Sequence, residues 1–144
     1  MIDLLKSALN QDAAIREWRS NWGKPRSYWI QGQNFSARTL LTGTLDKKVD
    51  RLIIFPDREH LERWREDLLT WLPGEQVLEF PNADWFRFST LAKGLELEMA
   101  RQHILNGLCQ DDSALVVLAT AESVVQPVPA PEEFLTWRLT LKKG

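Results

Sequence analysis

The segment Gly32-Gln-Asn-Phe-Ser-Ala37-Arg38-Thr39 has the residue types and spacing of a phosphate-binding loop with two substitutions. In the intact pattern, G-x-x-x-x-G-K-[ST], backbone N–H groups wrap the phosphates. The lysine reaches the terminal phosphates, and the last hydroxyl holds magnesium. Gly32 and Thr39 supply the first glycine and the hydroxyl, but Ala37 replaces the second glycine and Arg38 the lysine. A Cβ at Ala37 intrudes on the backbone cradle. Arginine's wide planar fork does not replace a compact ammonium between phosphates. Bulky Phe35 also sits inside the loop. A nucleotide hydrolase of this kind further needs an acidic strand end to hold magnesium. Arg51–Phe55 runs into Pro56 and Ala114–Ala119 into Thr120-Ala121, so neither strand ends in an acid. Asp57 follows Phe55 closely but opens a helix, and reads as its N-cap. The segment reads as a strand-to-helix connection of phosphate-loop type without the chemistry, with Ser36 as a candidate helix cap.

Other reactive residue types fall into weaker patterns. Glu96 and Glu98 diverge on a helix at their two-residue spacing, so they read as a solvated face rather than a catalytic pair. Asp111-Asp112 suits a turn before a buried strand. His103 stands on a helix without partners, and Cys109 has no nearby histidine or basic cluster to activate a thiol. Arg16, Arg19, Lys24 and Arg26 form a basic run beside Trp18, Trp22 and Trp29. That run could be a weak nucleic-acid patch, but it reads better as the rim of the core.

The elements that must position these residues alternate helix and strand. Residues 2–22 read as helical, with Ile2, Leu5, Leu9, Ile15 and Trp18 at buried positions, and Gly23-Lys24-Pro25 breaks the segment. Tyr28-Trp29-Ile30 reads as a short buried strand ending at Gly32, and Ala37–Leu45 as the following helix. Arg51–Phe55 is the clearest strand. Asp57–Trp71 is the clearest helix, with Leu61, Trp64, Leu68 and Trp71 on one stripe and Pro73-Gly74 beyond its end. Gln76–Phe80 is a third strand. Gly94–Leu108 is a helix with Leu97, Ala100, Ile104 and Leu108 on one face. Ala114–Ala119 is a continuous apolar strand of the sort buried on both faces of a parallel sheet. Ala121–Val125 is a short helix, Pro127–Pro131 a stiff connection, and Trp137–Lys142 a last strand. The alternation predicts an α/β fold, a mostly parallel sheet flanked by helices.

Composition sets outer bounds. The chain has 144 residues, a net charge of −2 and one cysteine. That length is about one domain. The charge balance disfavours nucleic acid as the sole partner, and one cysteine excludes an internal disulfide. Two histidines make a histidine-rich metal site unlike this chain. The N-terminus lacks the pattern of a signal peptide and no stretch is apolar enough for a membrane span. The expectation is a cytoplasmic protein with no membrane partner and no cofactor.

Several features then recur in order. These are the degenerate loop Gly32–Thr39, Leu-Ile-Ile-Phe-Pro-Asp57, Val-Leu-Glu-Phe-Pro81, Ala83-Asp-Trp85, Gly-Leu-Glu-Leu-Glu-Met-Ala-Arg101, Leu-Val-Val-Leu-Ala-Thr-Ala-Glu-Ser-Val124 and Pro131-Glu-Glu-Phe134 running toward Leu-Lys-Lys-Gly144. Their order and spacing, over roughly 27–144, resemble the N-terminal, UvrB-like module of bacterial transcription-repair coupling factor (Mfd). The resemblance implies a degenerate P-loop helicase-like domain that has lost the glycine–lysine pattern. Asp84-Trp85 matches a family signature, whereas Phe86-Arg87-Phe88 departs from the Glu and Leu-Pro-Tyr that usually follow. The stretch from Asp84 to Gly94 is too short for the DNA-inserting hairpin of UvrB.

What the resemblance implies is a helical segment over 1–26, a UvrB-like domain over 27–126, and over 127–144 a proline-rich connection and strand leading to a second subdomain. That subdomain is the family's docking surface for UvrA, and DNA and RNA polymerase are reached only through the full-length protein. The expected role is therefore a non-catalytic structural lobe that supports UvrA recruitment and packs against the protein's remaining domains. Trp29, Trp64, Trp71 and Trp85 read as core. Trp18, Trp22 and Trp137 are candidate interface residues. Two alternatives remain: a small nucleotide-binding protein with a divergent loop, and a UvrB-like DNA-binding module.

Overall fold

The computed structural model describes residues 2–22, 24, 27–32, 34–44, 49–72, 77–82, 91–110 and 115–137. For 2, 3, 6 and 91–94 it describes the backbone alone. Several sequence expectations lie outside the described residues: Gly23, Pro25 and Arg26, Leu45, Pro73-Gly74, Asp84 to Phe88, Asp111-Asp112 and 138–144.

Three strands form a parallel sheet: β1 (Arg51–Phe55), β2 (Val77–Phe80) and β3 (Val116–Thr120), in the order β1-β3-β2. Arg51 and Val77 both stand opposite Val116, which aligns the carboxyl ends of the strands. The expectation that β3 is buried on both faces holds: Leu115 to Ala119 are each 3% exposed or less. With no polar side chain to solvate, such a run belongs in the centre of a covered parallel sheet. The Asp50 carboxylate accepts from the Leu115 N–H at 2.8 Å, and the Arg51 N–H donates to the Leu115 carbonyl at 2.8 Å. These two bonds fix the start of the β1–β3 pair.

The helix α4 (Arg58–Trp71) covers one face. Asp57 caps it, accepting from the His60 N–H, and the helix ends where Leu72 precedes Pro73. Leu61, Leu68 and Leu72 from this helix and its end pack with Phe55, Val77, Val116 and Leu118. Each fully buried leucine contributes about 1.5–3 kcal/mol. On the opposite face, α5 (Leu91–Leu108) packs Ile104 and Leu105 against Leu78, Phe80, Val117 and Ala119. The buried side of α5 runs through Arg101, Ile104 and Leu105. Ala100 and Leu108, expected on that side, are exposed. Arg101 is buried there instead, its guanidinium over the Phe80 ring at 4.3 Å from the centroid. The sheet is narrow, so α5 leaves the β1 side chains Leu52 and Ile54 more than half exposed.

The N-terminal region departs from expectation in two ways. Residues 2–20 form two helices, α1 (Ile2–Gln11) and α2 (Ala13–Ser20). Asp12 separates them because its carboxylate caps the second, accepting from the Ala14 and Ile15 N–H groups. Leu5, expected buried, is exposed. Tyr28-Trp29-Ile30 is not a strand: it joins no sheet, and Trp29, expected in the core, is 86% exposed. Three apolar residues do not specify a strand unless a partner edge is offered to them. Here they lie along an apolar groove between the N-terminal helices and α3 (Phe35–Gly43).

After β3 come α6 (Ala121–Val124) and α7 (Pro131–Thr136). α6 opens with a capping box between Thr120 and Ser123. α7 corrects the start of the expected last strand, because Trp137 caps the helix in αR conformation. Its signal was present in the sequence: Pro131 at N1 with Glu132 and Glu133 in the first turn.

Candidate functional site

The segment from Gly32 to Thr39 leads into α3 with no strand before it, contrary to the strand-to-helix placement expected, and Asn34, Phe35 and Thr39 hold that helix in place. Asn34, not Ser36, is the N-cap, and its side chain accepts from the Ala37 N–H at 2.8 Å. A cap at Asn34 begins the helix two residues earlier than the sequence reading. It engages the Ala37 N–H, which in an intact phosphate loop would face a ligand. Gly32 has φ +75°, a conformation that side chains with a Cβ rarely adopt, and open space where a Cβ would stand.

Phe35 fixes the helix start against the sheet. Its ring meets Trp64 edge-on at 5.9 Å, and Trp64 meets Phe55 at 5.4 Å. Phe55 closes β1, so this aromatic chain brings the start of α3 to the carboxyl end of the sheet. The Arg63 guanidinium lies over the Phe35 ring at 4.4 Å.

Thr39, the candidate magnesium hydroxyl, is completely buried. Its Oγ1 lies 2.9 Å from the Ser36 carbonyl and 3.3 Å from Asp67 Oδ2, and accepts from Trp71 Nε1 at 3.2 Å. The hydroxyl is satisfied inside the α3–α4 contact and faces no open site. Farther along α3, a Cβ on Gly43 would meet Trp71 Cβ at 3.0 Å, so the two helices approach closely there. Arg38 is exposed and borders a small groove with Trp18, Ile30, Leu41, Thr42 and Trp64.

Polar side chains near the carboxyl ends of β1 and β2 are paired. At β1, the Asp57 carboxylate binds the His60 N–H and lies 2.7 Å from His60 Nδ1. Those contacts, the backbone one foremost, hold its carboxyl below the usual aspartate value. Beyond β2, Arg101 is 5% exposed and donates from Nη1 to the Pro81 carbonyl and to Gln126 Oε1, both at 2.9 Å. Gln126 in turn bonds the Asn82 side chain. Burial pulls the Arg101 guanidinium below the ordinary arginine value, against the opposing charge of Glu98. Sequence reasoning placed Arg101 in a family motif but did not single it out. The signal was an arginine one helical turn before Ile104 on an otherwise apolar side.

Comparison with protein-family models, curated proteins and solved structures gives no match. What the site can do therefore rests on its own geometry.

Among the other sequence candidates, Glu96, Glu98 and His103 are exposed on α5, and Cys109 is partly buried as a thiol. Among the described residues no three His, Cys, Asp or Glu side chains gather as metal ligands, and no helix is long and apolar enough to cross a membrane. The basic residues near α2 are partly engaged: Arg19 donates to the Thr44 carbonyl at 2.7 Å and to the Asn10 side chain, and Lys24 to Asn21. Trp18 and Trp22 stack edge-on at 5.3 Å, with Trp18 half-buried and Trp22 38% exposed. Trp137 is 65% exposed.

Proposed function

We propose that this chain is a non-catalytic lobe of the transcription-repair coupling factor (Mfd) type, a P-loop helicase-like domain whose phosphate loop has become a packing element. The observation that carries the reading is Thr39, whose buried hydroxyl serves Trp71 and Asp67 instead of a metal. Ala37 and Arg38 in place of glycine and lysine, and the Phe35–Trp64–Phe55 stack beside the loop, support the same conclusion. In this reading the chain carries the UvrA-recruiting subdomain and packs against neighbouring domains in the cytoplasm. DNA, RNA polymerase and UvrA are met through other parts of the whole protein. The exposed faces of Trp22 and Trp137 are the candidate packing surfaces.

The test is to restore the motif. The double variant Ala37→Gly with Arg38→Lys should still show no ATP turnover, because no acidic residue closes β1 or β3. Measurable magnesium-dependent turnover in that variant would overturn the reading. A salt-dependent gel shift with single-stranded and bubble DNA should show no complex with this chain.

A further inference from the structure

We infer that the open edge of β1 is the contact by which two copies of this chain pair, β1 against β1 in antiparallel sense, joining their sheets into one. The order β1-β3-β2 leaves β1 at an edge, bonded to β3 alone. The Arg51 N–H points inward, to the Leu115 carbonyl. Successive residues of a strand turn their backbone groups to opposite edges, so Leu52 and Ile54 turn theirs outward. Among the described residues no hydrogen bond meets those outward N–H and C=O groups. The side chains of the same two residues are open as well. Ile53 packs on the α4 side, so Leu52 and Ile54 stand on the other face, both more than half exposed. Natural sheets guard their edges with an outward charge, a bulge or a covering element. Leu52 to Phe55 carry no charge, and they pair with Val117 to Thr120 without a bulge.

A row of free backbone donors and acceptors selects an extended strand, and the residues of β1 select β1 itself. With Ile53 on a two-fold axis, Leu52 of one copy stands opposite Ile54 of the other, and their outward N–H and C=O groups face each other. Such a pair exchanges both its hydrogen bonds. Its side chains share one face at about 4.5–5.5 Å between Cβ atoms, so Leu52 and Ile54 cover each other on both sides of the axis. Charge does not oppose this register. Arg51 is buried and falls opposite Phe55, while the acids at either end, Asp50 and Asp57, fall opposite Pro56 and Val49. Both carboxylates are already bound within their own copy, to the Leu115 and His60 N–H groups. Pro56, with no N–H to give, ends the ladder and keeps the contact short. A surface that matches itself under a two-fold axis closes as a dimer and goes no further. Leu52 and Ile54 take no part in the Thr39 contact, so the dimer and the loss of nucleotide binding fall separately.

The test is sedimentation velocity of the whole chain from about 1 μM to about 1 mM, with amide hydrogen exchange at both ends of the series. A small interface of this kind should give a reversible monomer–dimer equilibrium with a midpoint of about 100 μM. The Leu52 and Ile54 amides should exchange about tenfold more slowly in the dimer than in the monomer. Leu52→Lys puts a charge on the edge, and Ile54→Pro removes an N–H that its own copy does not use. Each should raise the dissociation constant by about tenfold or more, and urea unfolding checks that each is folded. Should Ile54→Pro not fold, Leu52→Lys and the exchange pattern decide. Trp137→Ala, in the groove between α5 and α7, should leave the dimer intact. A chain monomeric throughout the series would overturn the proposal and leave the edge to a strand of another protein. So would a dimer unmoved by Leu52→Lys, or one in which the two amides still exchange fast. Loss of the dimer in Trp137→Ala would overturn it by assigning the contact to another face. Slow exchange of both amides in the monomer would overturn it by giving the edge to a segment of the same chain.

Discussion

The Trp71 indole N–H donates to the Thr39 hydroxyl at 3.2 Å, joining the end of α4 to the middle of α3. With Asp67 Oδ2 at 3.3 Å from the same oxygen, this contact makes Thr39 a buried strut between the two helices. Thr39→Val keeps the shape and removes the hydroxyl, leaving the indole N–H without its acceptor. It should destabilise the fold by about 1–2 kcal/mol, whereas Thr39→Ser should retain most of that. Urea unfolding of the two variants measures the difference. Equal stability of Thr39→Val and the parent would show that the hydroxyl has no structural role.

Close approach between the same helices gives a second expectation. Alanine normally stabilises a helix over glycine by about 1 kcal/mol. Gly43→Ala should do the opposite, because its Cβ would press on Trp71 Cβ at 3.0 Å, an atom fixed to the α4 backbone. A lowered melting temperature is the expected result, and a raised one would show that α3 can shift.

Arg101 should behave as a buried strut of a different kind. Its Nη1 serves both the Pro81 carbonyl and Gln126 Oε1. Arg101→Met keeps an unbranched apolar chain at this buried position but strands these acceptors, and should cost about 2 kcal/mol in chemical denaturation. Arg101→Lys should recover only part of it, since an ammonium cannot present the planar guanidinium to the ring. Full recovery by lysine would reduce the contact to simple charge.

Acid should weaken the cap of α4. Asp57 has its folded pKa held below the usual aspartate value by the His60 backbone and side chain. A carboxylate depressed in the folded state adds stability above its unfolded pKa. That stability is lost as pH falls through the folded value. The parent should therefore lose more stability than Asp57→Ala below about pH 4. The comparison is a pH series of unfolding midpoints for both proteins. Parallel pH profiles would contradict the assignment of the cap.

The sheet was the most legible part of the sequence. An unbroken apolar run such as Leu115–Ala119 fits little besides a central parallel strand, and the Leu61–Leu68 stripe with Asp57 before it marks one helix and its start. Tyr28-Trp29-Ile30 was misread because a strand is made by its neighbours, and three apolar residues serve equally well along a groove. Asn34 and Ser36 can both cap a helix by residue type, and the cap at Asn34 goes with the packing of Phe35 on Trp64, a contact with a distant helix. The substitutions at Ala37 and Arg38 were visible, but the fate of Thr39 was not. Its partners Asp67 and Trp71 lie about thirty residues away on another helix.

The most direct test of the central claim is isothermal titration calorimetry of the chain with ATP and magnesium. The buried Thr39 hydroxyl and the Asn34-capped Ala37 N–H predict no saturable heat at nucleotide concentrations up to the millimolar range. Saturable binding at micromolar concentration, lost in a Thr39→Val variant shown to be folded, would contradict it.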